Sequence, residues 1–147
     1  MTEFTGEEND RKLAALLELL RGGFWYDKAL QQELKPFEIS HEQFNVLRIL
    51  EHNQDRKFSL KEIQSRIMNR TDNTTRLVEK LKTKGLISSK YCEHNRRKLE
   101  ITITEKGLEL LSELRDPLFS MIRNVKARIS EQEAESLIQI IRKVRAS

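Results

Sequence analysis

Apolar residues recur at helical spacing along almost the whole chain, and between Leu86 and Ile103 the period changes to two. Leu99, Ile101 and Ile103 alternate there with Lys98, Glu100 and Thr102. A β-prone run, Ile87 to Cys92, precedes them, and the polar Glu93-His94-Asn95-Arg96 between reads as a turn. The chain therefore offers one two-stranded hairpin with a charged tip, the only β structure expected, in an otherwise helical fold. An isolated hairpin is marginal in water, so this one must lie against neighbouring helices.

The helices announce their starts. Ser40-His41-Glu42-Gln43 is a capping box, with Ile39 and Phe44 in the hydrophobic-staple positions. Ser59-Leu60-Lys61-Glu62 repeats the device with Phe58 and Ile63, and Ser130-Glu131-Gln132-Glu133 is a third box. Thr104 starts a helix more weakly, because the third position after it is Gly107. Leu13, Leu16, Leu17, Leu20, Phe24, Leu30 and Leu34 mark a long first helix over 8–34, loosened at Gly22-Gly23 and stopped by Pro36. A further helix spans 105–128, with a kink or break expected near Asp116 because Pro117 follows, and the last covers 130–145.

Composition removes whole classes of function. The 147 residues suit a single domain, and no run of about 18 apolar residues could span a membrane. The polar, acidic stretch Met1 to Asp10 does not resemble a secretory leader, so the expected compartment is the cytoplasm. One cysteine, Cys92, makes no disulfide framework, and it reads as a partly buried, inert thiol. His41, His52 and His94 are scattered without metal-ligand spacing, and His41 is expected to be an exposed first-turn residue. No nucleophile motif, phosphate loop or paired carboxylates appear, so neither catalysis, a cofactor nor a metal is expected.

Charge is what the chain has in excess, and it is unevenly placed. Residues 59–103 carry 11 Lys/Arg against 5 Asp/Glu, whereas residues 1–58 carry 8 against 11. A basic middle between near-neutral flanks is an electrostatic footprint for a polyanion. On a helical wheel over Thr71 to Lys84, Thr74, Leu77, Val78 and Leu81 share one side. Asp72, Asn73, Arg76, Lys80 and Thr83 share the other. The DNA major groove admits one α-helix, whose first turn reaches base edges. Asn73, Thr74 and Thr75 occupy that turn, and Arg76 suits guanine or a phosphate. A merely solvated surface helix would show the same wheel. What favours DNA is the hairpin beside it, where Arg96, Arg97 and Lys98 concentrate charge suited to the narrower minor groove.

The order of three short helices and a hairpin is that of a winged helix-turn-helix. The runs Leu81-Lys82-Thr83-Lys84-Gly85-Leu86-Ile87, Asn95-Arg96-Arg97-Lys98-Leu99 and Ile103-Thr104-Glu105-Lys106-Gly107 resemble MarR-type (multiple antibiotic resistance regulator) transcription factors. Thr75-Arg76-Leu77 matches the recognition-helix core of that family. Its wing motif, Asp-x-Arg, falls on Asn95 and Arg97, so the acid that helps hold the wing arginine is replaced by an amide. The resemblance implies a cytoplasmic homodimeric repressor binding a palindromic operator on double-stranded DNA. Residues 1–147 would then form one domain, with 8–34 and 105–145 as dimerisation helices and 38–103 as the DNA-reading unit. Asn73, Thr74, Thr75, Arg76, Lys80, Arg96 and Arg97 would contact DNA, with recognition helices ~34 Å apart. The terminal helices indeed carry more apolar face than so small a reading unit can cover. The resemblance also implies release by a small aromatic effector, for which the aromatic run Phe24-Trp25-Tyr26 offers Phe24 and Trp25 as weak candidates; packing in the core or dimer is the alternative for these rings. The competing function is a winged-helix module that binds an acidic protein.

Overall fold

The structure, a computed structural model, describes residues 10–67 and 73–146. Its elements are α1 (Arg11–Leu34), a 3-10 turn (Lys35–Phe37), α2 (His41–Glu51), α3 (Leu60–Arg66), α4 (Thr74–Thr83), β1 (Ile87–Cys92), β2 (Asn95–Ile103), α5 (Glu105–Lys126) and α6 (Glu131–Arg145). The fold is mainly α with one antiparallel hairpin wing. The expected helix start at residue 8, and Thr71 and Asp72 of the wheel, lie outside the described residues. Among the described residues no helix is long and apolar enough to cross a membrane.

Local chemistry explains the helix ends. At α2 the box closes both ways: Gln43 N–H donates to Ser40 Oγ and Ser40 N–H to Gln43 Oε1, each at 3.1 Å. The box at Ser130 also closes, at 3.1 and 2.8 Å. The box at Ser59 forms only by half. Its hydroxyl accepts from Glu62 N–H at 3.2 Å, but the Glu62 carboxylate has turned to the Arg56 guanidinium at 2.6 Å, since a charged donor outbids a neutral amide. Helix α4 ends on Gly85, whose φ of 75° is a left-handed conformation that glycine adopts freely. Leu86 N–H then reaches Leu81 O at 3.0 Å and Gly85 N–H reaches Lys82 O at 2.9 Å, a Schellman closure with Leu81 and Leu86 both buried.

Two expected weaknesses are absent. Helix α1 runs unbroken through Gly22 and Gly23, and α5 runs unbroken through Pro117. A helical proline forfeits one hydrogen bond, but Leu111, Leu114 and Leu118 are buried on both sides of it, so packing holds the two halves in line.

The core gathers Phe44, Val46, Leu47 and Leu50 of α2, Ile63 of α3 and Leu77, Val78 and Leu81 of α4. Against them lie Leu86, Ile87 and Ile101 of the hairpin and its approach, Leu30 and Leu34 of α1, and Leu111, Leu114 and Leu118 of α5. The hairpin pairs Ile87 with Ile103 and Tyr91 with Leu99, with a register shift between Tyr91 and Cys92. It is not the only β pairing, as the sequence suggested. Phe58 and Ile101 exchange backbone hydrogen bonds at 3.0 and 2.7 Å, so Phe58, expected only as a staple, tethers the wing to the segment between α2 and α3. The Phe58 ring is fully buried, with the guanidinium groups of Arg56 and Arg66 at 5.0 and 5.1 Å from its centroid.

Beside this bridge Lys57 Nζ lies 3.0 Å from Glu100 Oε2. The hydrogen bond from Lys57 holds the Glu100 carboxyl below its ordinary range, and desolvation opposes it. The same hydrogen bond raises Lys57. Because the folded Glu100 titrates low, its pairing contributes at neutral pH and fades as pH falls through that lowered value.

At the base of the wing, Thr104 Oγ1 accepts from Gly107 N–H at 3.2 Å and donates to Gly85 O at 2.6 Å. A Cβ on Gly107 would stand 2.3 Å from Leu86 O and 2.7 Å from Ile103 Cγ1. Glycine at that position is therefore what lets α5 seat against the hairpin.

Two measurements check these joints. Gly107→Ala should lower stability by about 2–3 kcal/mol, read as a lower urea midpoint with an unchanged slope. Lys57→Ala should bring the Glu100 carboxyl titration, followed by carbon-13 NMR, up toward the ordinary glutamate range.

Candidate nucleic-acid interface

The buried side of α4 decides what its other side offers. With Leu77, Val78 and Leu81 in the core, Thr75, Arg76, Glu79, Lys80, Lys82 and Thr83 are exposed, and Asn73 stands exposed at the N-cap. Asn73 makes no capping hydrogen bond with its side chain, so its amide is not consumed by its own helix. Thr74 requires correction: it is only 4% exposed, on the core side, so its hydroxyl is not presented to a groove. It shares the spacing of Leu77, Val78 and Leu81, and that spacing outweighs its polarity. Glu79, an acid in the middle of the exposed face, is a feature the sequence reading passed over. Thr83 spends its hydroxyl on Glu79 O at 2.9 Å.

On the wing, Arg96, Arg97 and Lys98 are all exposed along β2. Successive strand residues point to opposite faces, so Arg97 projects away from Arg96 and Lys98. Asn95 substitutes for the missing acid in one respect. Its Oδ1 accepts from Arg97 N–H at 3.1 Å, which fixes the backbone at the root of the arginine. Among the described residues none of Arg76, Lys80, Arg96, Arg97 or Lys98 is in an ion pair; the pairs present involve Arg21, His41, Arg56, Lys57 and Arg115. The charges of helix and wing thus stay available to a polyanion, while the cations behind them brace the unit. Arg115 on α5, for instance, holds Glu51 of α2 at 2.8 Å.

Nearer α1, His41 is not the exposed residue expected of it. It is half-buried, with Nδ1 2.8 Å from Asp27 Oδ1, and it joins α1 to the first turn of α2. The sequence hid this pair because its members stand 14 residues apart, on different elements. An open groove of about 680 Å³ lies there, lined by Asp27, Lys28, Gln31, Lys35, Ser40 and His41 among others. Phe24 and Trp25 do not line it, and they are 68% and 50% exposed, so the protomer core does not hold them either. Cys92 is half-buried at the end of β1, against the wing turn. Among the described residues no group of His, Cys, Asp and Glu could hold a metal ion.

Comparison with known proteins agrees with this geometry. Residues 39–99, from just before α2 well into β2, match the MarR family model. The transcriptional repressor MprA of Escherichia coli is 29% identical over 111 residues, which is 76% of this chain but only 63% of the repressor. The crystal structure of a MarR transcription factor from Planctomyces limnophilus superposes with a TM-score of 0.69 at 27% identity, covering 91% of this chain and 97% of that one. That of Bordetella bronchiseptica BpsR, whose DNA binding is regulated by 6-hydroxynicotinic acid, superposes at 0.73 with 21% identity, covering 88% and 92%, and shows the shared fold. A winged helix with a basic reading helix and wing is thus similar to MarR-type transcriptional regulators, in sequence over residues 39–99 and in shape across nearly the whole chain.

Proposed function

We propose that this chain acts in the cytoplasm as a homodimeric repressor that binds a palindromic operator through α4 and the wing. The observation that carries the reading is a set of exposed cations in no ion pair among the described residues, Arg76 and Lys80 on α4 and Arg96 and Arg97 on the wing, held on one core. Asn73, Thr75 and Arg76 would read base edges or phosphates in the major groove, and Arg97 would enter the flanking minor groove. Thr74 supports the helix from behind. An acidic protein partner is the weaker reading, because the exposed face of α4 offers no aromatic or large aliphatic anchor of the kind that dominates protein interfaces.

Dimerisation would involve residues 8–34 and 105–145, with 38–103 as the reading unit of a single 1–147 domain. Support comes from what one protomer leaves uncovered. Leu16, Leu17 and Leu20 on α1 and Leu137, Ile138, Ile140 and Val144 on α6 are each between 42% and 59% exposed, and no residue of α6 is buried. Covering the exposed half of each would stabilise by about 1 kcal/mol. Seven such side chains match a fair part of a typical folding stability of about 5–15 kcal/mol, so a helix like α6 needs a partner surface. A small aromatic effector, by analogy with the regulation of BpsR, would release the operator by favouring a dimer whose recognition helices no longer fit successive grooves.

With about five phosphates engaged per half-site, log K should fall with log salt at a slope near −9, measured by mobility shift on a selected operator. Arg76→Ala should weaken binding by about 1–3 kcal/mol, unevenly across operator variants if it reads a base and evenly if it touches phosphate. Arg97→Ala should weaken it through the flanking sequence. Wild-type affinity in both variants would remove these assignments. Ile140→Asp should shift the protein toward monomer in sedimentation and weaken operator binding with it.

A further inference from the structure

The cations of α4 are not equivalent, and one of them faces inward. Lys80 and Lys82 are exposed, whereas Lys84, the C-cap of the helix, is half-buried. Its Nζ donates to the backbone carbonyl of Glu38, and to Gln43 Oε1 at 3.3 Å, reaching 46 and 41 residues back along the chain. Both acceptors belong to the corner at which α1 enters the reading unit.

That corner is itself rigidly made. Glu38 has φ 56°, the one positive value at a non-glycine residue among those described, and its N–H is tied to Lys35 O at 3.1 Å. Gln43 is one of the two buried polar residues of the core, and the same Oε1 that accepts from Lys84 also accepts from Ser40 N–H. On its other side the backbone carbonyl of Lys84 accepts from Lys106 Nζ of α5 at 2.9 Å. Lys84 is thus the node at which the end of α4, the α1–α2 corner and the start of α5 meet.

We infer that Lys84 is a positioning residue for DNA recognition: it ties α4 to the α1–α2 corner and so sets the spacing of the two recognition helices in the dimer. The inference rests on the DNA-binding dimer proposed above and names the contact through which its arms orient its reading helices. Two half-sites one turn apart tolerate little swing, since one base pair shifts a half-site by about 3.4 Å along the duplex. Without the Lys84 donors, α4 keeps its core contacts and its exposed face but loses the polar tie between its C-terminal end and the α1–α2 corner. Two of the three Lys84 N–H donors are spent on these neutral oxygens, so its part in recognition is assigned to the tie they make, and the salt slope separates that from a phosphate contact.

The test compares wild type, Lys84→Met and the donor-retaining Lys84→Arg on operators with the native half-site spacing and with one base pair added or removed, each across a salt series. Lys84→Met should lose about tenfold in affinity at native spacing, discriminate less between spacings, and keep its salt slope. Lys84→Arg should recover part of the discrimination. A slope reduced by about 0.9 with spacing preference intact would make Lys84 a phosphate contact and overturn the inference, as would unchanged affinity and spacing preference. Lys84→Gln stands in if the methionine variant does not fold, and failure of both to fold would assign Lys84 to the core instead, also overturning it. If the wild-type protein binds no duplex at low salt, it is the proposed function that fails, so the two failures are told apart.

Discussion

Everything that α4 presents outward depends on what it buries. Leu77, Val78 and Leu81 sit against α2, α3 and the base of the hairpin, and the helix has no freedom to rotate about its axis without exposing them. Each such side chain is worth about 1.5–3 kcal/mol on burial, whereas an exposed arginine or threonine gains little from any one orientation in water. The apolar stripe therefore selects the polar face, and the polar face inherits its residues from the helical period rather than from preferences of its own. Thr74 shows the rule at its limit, a hydroxyl carried inward by its position.

The wing depends on the same core by a different route. Strands alone would leave it marginal, yet Ile101 is paired on one side with Ser89 and on the other with Phe58, so the base of the hairpin is clamped within a three-segment seam. Lys57 and Glu100 close that seam at its edge. The exposed arginines begin where the clamp ends, which gives them reach without detaching them from the body of the unit.

Much of this architecture is written in local signals. The serines at 40, 59 and 130 mark helix starts within a residue of where they occur, and the change to period two marks the hairpin, because caps and periodicity are decided by neighbours in the chain. What escaped the sequence is decided by distant partners. The Phe58–Ile101 bridge, the His41–Asp27 pair and the inward turn of Lys84 join residues from 14 to 46 positions apart. The failed reciprocal bond at Glu62 has a nearer cause, lost to Arg56 only six residues back, where a charged side chain competes with the cap. Pro117 misled for a related reason: propensity predicts a break, and buried leucines on both flanks override it. On the candidate interface, the exposure of Arg76, Lys80, Arg96 and Arg97 was legible because basic residues on a fixed period need no tertiary knowledge. Glu79 lies among these cations on the same exposed face, and its acid carries no periodic signal that sets it apart from an ordinary solvated residue.

The close approach of Gly107 to the Leu86 carbonyl couples the foot of the wing to the head of α5. A Cβ there would meet backbone rather than a yielding side-chain tip, so relief would require the two segments to part together. The tip at Glu93 and His94 lies at the far end of the hairpin, away from that restraint. A change of shape at the tip would therefore leave the joint between hairpin and helix undisturbed.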